Sequence, residues 1–472
     1  MQKILLLIAS LFYFNFILAE NEIKSWQGIH ETPLSCLEQQ FAEPPVEFAN
    51  HVIWGWEGKM DKKTICNDLD SIKKKGFRAV IFEAGYKLPF KYLSEEWFKA
   101  IRTGVLEAKK RGMKVWIIDE GKYPSGFAGG KFSQERPDLR MQALVIGDTI
   151  QIKRGEVMTN HKIAPEIISA VAVSTSGAPN RTVAINNGEI SFNAGLDDWK
   201  ILLVKSDFRT AVTRAVNNPN GGKDATNSLC DYLNPIAVQQ FIDWTHEQYK
   251  KYLGKELGTT VLGFRGDEPD YAHLPWTPSI VQTFKDTKGY DPTPYLASFF
   301  TTSPTIQEQR VKADYWDVWS SLFATHFFKL QADWCAANGV AHITHLNKEH
   351  EMPACVKAEG DYFRNLSKVQ IPGVDAIWNQ IWPGILNDFP KLASSVAHVY
   401  GKPRAFSESF AAYHISPTIP QAKFVVDHQI ARGINFFEFM FWPAGSKHRN
   451  WMSDPGMKGL NKYTNRTTYL MS

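Results

Sequence analysis

Cysteine is scarce: the chain has five in 472 residues, at 36, 66, 230, 335 and 355, and no C-x-x-C spacing. An odd number spread so widely argues against a disulfide framework and against a zinc knuckle, leaving buried thiols. Blocks of one charge are also missing. Lysine and arginine total 53 against 49 acids, a formal charge of +4, so nucleic acid is not expected as a partner. No stretch carries G-x-G-x-x-G or a GK[ST] tail; "AGYKLP" and "GFAGG" come nearest and match neither. The apolar run at the N-terminus, Ile4 to Ala19, falls short of the roughly 20 residues that span a bilayer. With one Lys before it and a small residue at its end, it reads as a secretory signal peptide over 1–19. The expected mature chain, 20–472, is then secreted or periplasmic, with no stable membrane insertion after cleavage.

What is present is an ordinary globular composition, 44% hydrophobic and 22% charged, at a length suited to a barrel of about 250 residues with additions. Strands and amphipathic helices alternate soon after the leader. "HVIWGW" (51–56) precedes a helical run with Ile65, Leu69 and Ile72 at helical spacing and Gly76 as its stop. "FRAVIFEAG" is a second strand, followed by a helix with Ser94 as N-cap and Gly112 as stop, and then by "MKVWIIDEG". From about 140 to 230 the rhythm becomes short β-prone runs separated by Gly, Asn and Pro, which reads as a β-rich insertion. The alternation resumes with a helix capped by Asn234 and opened by Pro235. Five more strands follow: "TTVLGF", "VAHITHL" (340–346), "VDAIWNQ" (374–380), "PRAFSESF" (403–410) and "INFFEFMFW" (434–442), with a long helical stretch reaching Asn338. Eight strands separated by helices predict an α/β fold, a (β/α)8 TIM barrel with a β-rich insertion after strand 3.

Chemistry in such barrels sits at the C-terminal ends of the strands. There the sequence puts Glu83, Asp119, Glu120, Asp267, Glu268, His345, Asn347, Glu349 and Glu408, with Trp54, Trp378, Asn379 and Trp442 beside them. Acids ringed by aromatics suit sugar chemistry. One carboxyl protonates a glycosidic oxygen while a second attacks or activates water, and apolar sugar faces stack on aromatic rings. The bland readings stand beside these: a lone acid at a strand end more often caps a helix or pairs with a base, and a tryptophan there is as often core filler. Glu268 and Glu408 carry more weight, because one large class of barrel glycosidases uses acids on these two strands.

The run "YLSEEWFKAIRTGVLEAKKRGMKVWIIDEGKYPSGFAGGKF", then "DYLNPIAVQQF", "VLGFRGDEPDY", "WTPSIVQTFKDTKGYDP" and "NKYTNRTTYLMS" resemble the barrel of glycoside hydrolase family 106, the α-L-rhamnosidase-like enzymes. The resemblance runs from about residue 45 to the C-terminus, with "KYPSG" where the family more often has Trp. It implies a secreted glycoside hydrolase with a plant or bacterial oligosaccharide or polysaccharide as substrate. It also implies Glu268 as proton donor and a second carboxylate on a later strand, for which Glu408 is the choice and Glu349 the reserve. Rhamnoside-cleaving members invert and use calcium; the sequence itself requires no cofactor, shows no calcium ligand set, and leaves the oligomeric state open.

Three further expectations follow from the residues. Asp267, one position before Glu268 on an alternating strand, should point away from the mouth toward a helix cap or an Arg. His342 and His345 in "HITH" face opposite sides of their strand, which argues against a shared metal and puts His342 behind the barrel. The alternative function is a non-catalytic carbohydrate-binding barrel, which carboxyl groups of Glu268 and Glu408 far beyond about 10 Å apart would favour.

Overall fold

The computed structural model describes residues 27–28, 32–121, 123–210, 213–214, 223–224, 228–271, 274–385, 387–445 and 451–472. The expected signal peptide at 1–19 lies outside the described residues. Eight parallel strands close into a barrel: β1 (His51–Trp56), β2 (Ala79–Ala84), β3 (Lys114–Ile118), β4 (Val261–Gly266), β5 (Ala341–Thr344), β6 (Ile371–Ala376), β7 (Phe406–Ser409) and β8 (Phe436–Pro443). Each strand pairs with its neighbour in sequence, and β8 closes on β1. This is the expected (β/α)8 barrel. The sixth strand differs from the sequence reading: Ile371 and Pro372 already pair with β5, and the chain leaves the sheet after Ala376.

Several helices begin where side-chain oxygens satisfy free backbone donors. Asp61 accepts from the Thr64 N–H at 2.9 Å, Ser94 from Trp97 at 3.3 Å and Asn234 from Ile236 at 3.0 Å. The long stretch before Asn338 runs through Ile306–Leu322, a wider turn at Phe323–Phe328 and Lys329–Ala337.

After β3 the antiparallel strands Gln142–Ile152, Ile167–Ser174 and Trp199–Phe208 form the centre of the insertion. Their alternation serves two cores. Val171, Leu202 and Val204 join the main core, while Ala170, Ala172, Ile201 and Leu203 pack a separate one with Phe192 and Trp199. Pro275–Trp276, just after β4, adds a short edge strand to this sheet, so the insertion is joined to the chain next to the β4 tip.

The barrel interior is layered. Its floor is apolar, built from Ile53, Ile81, Trp116, Ile371, Phe406 and Phe436. Two glycines make room for the large rings: a Cβ on Gly263 would sit 2.3 Å from the Trp116 ring, and one on Gly373 would sit 2.1 Å from Phe406. Two residues further along several strands the inward positions become polar: Glu83 follows Ile81, Glu408 follows Phe406, and Glu438 follows Phe436. This switch from apolar to acidic creates the site.

Candidate active site

The polar layer opens into a cavity of about 470 Å³ whose lining includes Glu83, Tyr123, Asp267, Glu268, His345, Asn347, Asp375, Trp378 and Glu408. At its base lies Arg265, fully buried on β4. Its guanidinium meets three acids: Asp267 at 2.6 Å, Glu438 at 3.2 Å, and Glu408 in a direct hydrogen bond from Nη2. Burial opposes a charged guanidinium, but the three carboxylates outweigh it and hold the group well above its ordinary pKa. In return Arg265 keeps Asp267 well below the usual carboxylate range despite burial. Glu438, with no exposure, is pushed up to about 7 by burial against the pull of Arg265.

His345 joins this group from the end of β5. Its Nδ1 lies 2.8 Å from the Leu346 carbonyl and so donates, which leaves Nε2 to accept from Arg265 Nη2 at 2.9 Å. Asp267 and Glu408 lie 3.4 Å from Nε2, and Glu349 lies 3.5 Å from Nδ1. Burial and Arg265 disfavour an imidazolium, yet these acids raise the ring's pKa above its ordinary value. The two demands conflict. The 2.9 Å contact requires Nε2 as an acceptor on a neutral ring, whereas the three acids favour the imidazolium.

Glu268 is held differently. Burial pushes its carboxyl up to about 8, and the charges of Asp267, Glu408 and Glu349 add to the shift. Its position is fixed by the loop after β3. Ser125 donates its backbone N–H to the Asp267 carbonyl at 2.8 Å and accepts from the Asp267 N–H at 2.7 Å through Oγ. Asp119 accepts from Ser125 Oγ at 2.7 Å, and Glu120 accepts backbone N–H groups of Gly121 at 2.6 Å, Gly129 at 3.0 Å and Ala128. The stretch 123–130 therefore staples the β4 tip in place.

Backbone conformation marks the same cavity. Glu268 (φ 39°), Lys348 (64°), Trp378 (50°), Phe410 (76°) and Ala412 (49°) all line it, and all are non-glycine residues in the left-handed region. Each such residue costs about 1–3 kcal/mol, and they collect at functional sites, where the surrounding structure holds them in place.

The structure corrects several expectations. Trp54 faces outward, because Ile53 takes the inward position; it is fully buried and donates Nε1–H to Asp68 at 3.2 Å on the surrounding helix layer. Trp442 also leaves the barrel interior. The β1–β8 register slips between Phe439 and Trp442 and turns this ring into the outer core. Asp119 and Glu120 are buried loop anchors with no surface on the cavity, and their burial raises them to about 7 and about 8. Glu349 sits beneath His345 and accepts from the Leu346 N–H at 3.0 Å. Asn379 ties two loops by accepting from the His414 N–H at 3.0 Å. Asp267 does find an Arg, yet it lines the cavity instead of pointing away. The cavity does bring together Glu83, Glu268, His345, Asn347, Trp378 and Glu408, with Trp378 half exposed at the rim. His342 is buried apart from it, and burial lowers its pKa to about 3.

Sequence reading missed Arg265, Asp375 and Glu438. Alternation was the available signal: each follows an inward Gly or Phe by two residues, before the strand tip.

Two groups of side chains among the described residues could in principle surround a metal: Asp267, His345 and Glu408, and Glu268, His345 and Asp375, with donor atoms within 4.8 Å of one another in each. Calcium takes six to eight oxygens. Each group offers two carboxylates and a ring nitrogen, and Arg265 already supplies the positive charge in the first. The donor sets do not fit calcium. Both groups share His345, however, and a common neighbour brings Glu268 and Glu408 to within the roughly 10 Å that either glycosidase geometry demands.

A closed parallel barrel whose C-terminal cavity gathers a raised acid, a paired acid and an exposed tryptophan has the architecture of the barrel glycoside hydrolases. The chain belongs to glycoside hydrolase family 106, described as alpha-L-rhamnosidase, whose family model matches residues 160–467. A protein of Formosa agariphila that carries a provisional beta-glucuronidase name is 24% identical over 477 residues, covering 89% of this chain and 39% of that protein. The rhamnosidase of Novosphingobium sp. PP1Y shares the fold, with a TM-score of 0.71 at 15% identity over 93% of this chain and 61% of its own. The chain thus spans less than two thirds of the length of both.

Proposed function

We propose that this chain is an exported glycoside hydrolase that cleaves a glycosidic bond in a plant or bacterial glycan, with an α-L-rhamnoside as the first substrate to test. One observation carries the reading: a carboxyl pushed up to about 8, Glu268, shares a cavity and an imidazole neighbour with a carboxylate paired to a buried Arg, Glu408. Environments that separate two acids in this way assign the proton donor and its partner. Glu268, protonated at neutral pH, gives its proton to the leaving glycosidic oxygen. Glu408, paired with Arg265, attacks the anomeric carbon or takes a proton from the attacking water. Trp378 at the rim offers an apolar face to a sugar or aglycone. Export rests on the leader-like 1–19 segment; among the described residues no helix is long and apolar enough to cross a membrane.

The test is sugar release from a panel of plant and bacterial glycans and 4-nitrophenyl glycosides, with Glu268→Gln alongside. Release by the parent chain, lost in Glu268→Gln on substrates with poor leaving groups, is the expected result. Full activity of that variant would remove Glu268 from the donor role, and a folded but silent parent chain would favour the sugar-binding barrel.

A further inference from the structure

Asp375 stands on β6 in the inward polar layer, paired in register with Glu408 on β7. It lines the cavity, yet its residue surface is only 6% exposed. One of its oxygens lies within 4.8 Å of donor atoms of both Glu268 and His345. Its environment differs from that of the other acids. Asp267, Glu408 and Glu438 share Arg265, whereas among the described residues no Lys or Arg pairs with Asp375, and its buried Oδ1 has no hydrogen-bond partner. A buried acceptor without a donor destabilises a fold by about 1–3 kcal/mol, so native structures rarely keep one unless something else satisfies it. Burial and the Glu408 charge push its carboxyl well above the ordinary range, as expected of a group whose partner has yet to arrive.

We propose, resting on the glycosidase reading, that Asp375 is the specificity-determining residue of the cleavage subsite, accepting hydrogen bonds from the sugar hydroxyl next to the anomeric carbon. Its place fits that hydroxyl. Glu268 must reach the glycosidic oxygen and Glu408 the anomeric carbon, and Asp375 is close to the first and in register with the second. A ring carbon adjoining the anomeric centre therefore presents its hydroxyl to Asp375, which lacks a donor. A site built around such a bond discriminates strongly against a ligand without the hydroxyl, because the acceptor is then left bare. The ligand class is a glycoside with a free hydroxyl at carbon 2, as opposed to a 2-deoxy sugar.

The experiment compares the full chain, Asp375→Asn and Asp375→Ala on 4-nitrophenyl α-L-rhamnoside and its 2-deoxy counterpart. Calorimetric binding of L-rhamnose and 2-deoxy-L-rhamnose, and Tm for each protein, complete it. For the parent chain, kcat/KM should be about 10- to 100-fold lower on the 2-deoxy substrate. Asp375→Asn should lose a similar factor on the rhamnoside and almost nothing further on the 2-deoxy substrate, with Tm no lower than the parent's. Equal losses on both substrates, or a Tm several degrees lower, would overturn the proposal in favour of a general or structural role. Binding without hydrolysis by the parent chain would sink the glycosidase reading alone, and the two sugars' affinities for the variants would still decide Asp375. If the parent chain neither cleaves nor binds any of these probes, both readings fall.

Discussion

Glu268→Gln should make the protein more stable as pH rises, while removing its activity on poor leaving groups. The folded-state carboxyl titrates near about 8 because it is buried beside Asp267, Glu408 and Glu349, whereas in an unfolded chain it titrates near its ordinary value of 4.5. Between those limits the unfolded chain releases the proton and the folded chain keeps it. Stability from this group is therefore fully present below about 4.5 and is lost as pH climbs toward 8. At 1.36 kcal/mol per pKa unit, the loss accumulated by pH 7 is at most about 3 kcal/mol. The neighbouring acids and His345 readjust as Glu268 ionises, which lowers the figure. Gln has nearly the shape and hydrogen-bonding capacity of the protonated acid and does not titrate. The two proteins should match at pH 4.5 and diverge with pH, the variant gaining a Tm rise of about 2 °C or more by pH 8. Thermal and urea denaturation from pH 4.5 to 8.5 measures this. A constant difference across that range, or a variant less stable at pH 8, would refute the account of a desolvated acid.

Arg265→Met should destabilise the fold by about 3–5 kcal/mol, since it strands Asp267, Glu408 and Glu438 without a cation, and should abolish turnover. Urea denaturation and kcat/KM would show it, and an active, stable variant would mean that the network is dispensable. Trp378→Ala should leave Tm within about 1 °C, because the ring is 53% exposed, yet raise KM with kcat nearly unchanged. An unchanged KM would remove the rim platform. Trp54→Ala should do the reverse, costing about 3–5 kcal/mol of stability with no change in KM, because its ring lies between barrel and helices; a raised KM in a folded variant would return Trp54 to the site.

Much of this protein was legible in its chain order. Alternating β-prone and amphipathic runs, with helices opened by Ser94 and Asn234 and closed by the glycines after them, were enough for eight strands and a β-rich insertion, because local periodicity and capping act within a few residues. The acids at strand tips were legible too, and so were the cavity positions of Glu268, Glu408, His345 and Trp378. What local pattern could not reveal was which side of the wall each residue met. Trp54 and Trp442 sit at strand ends as Trp378 does, but inward alternation at Ile53 and a register slip on β8 turn them away from the cavity. Asp119 and Glu120 became loop anchors because the stretch 123–130 folds back onto them, a contact that exists only once β3 and β4 are side by side. The electrostatics were decided in the same way. Arg265, Asp267, His345, Glu408 and Glu438 lie on four different strands or their tips and meet only when the barrel closes. Closure excludes water from that meeting point, which sets three acids against a buried guanidinium, while among the described residues Glu268 and Asp375 pair with none.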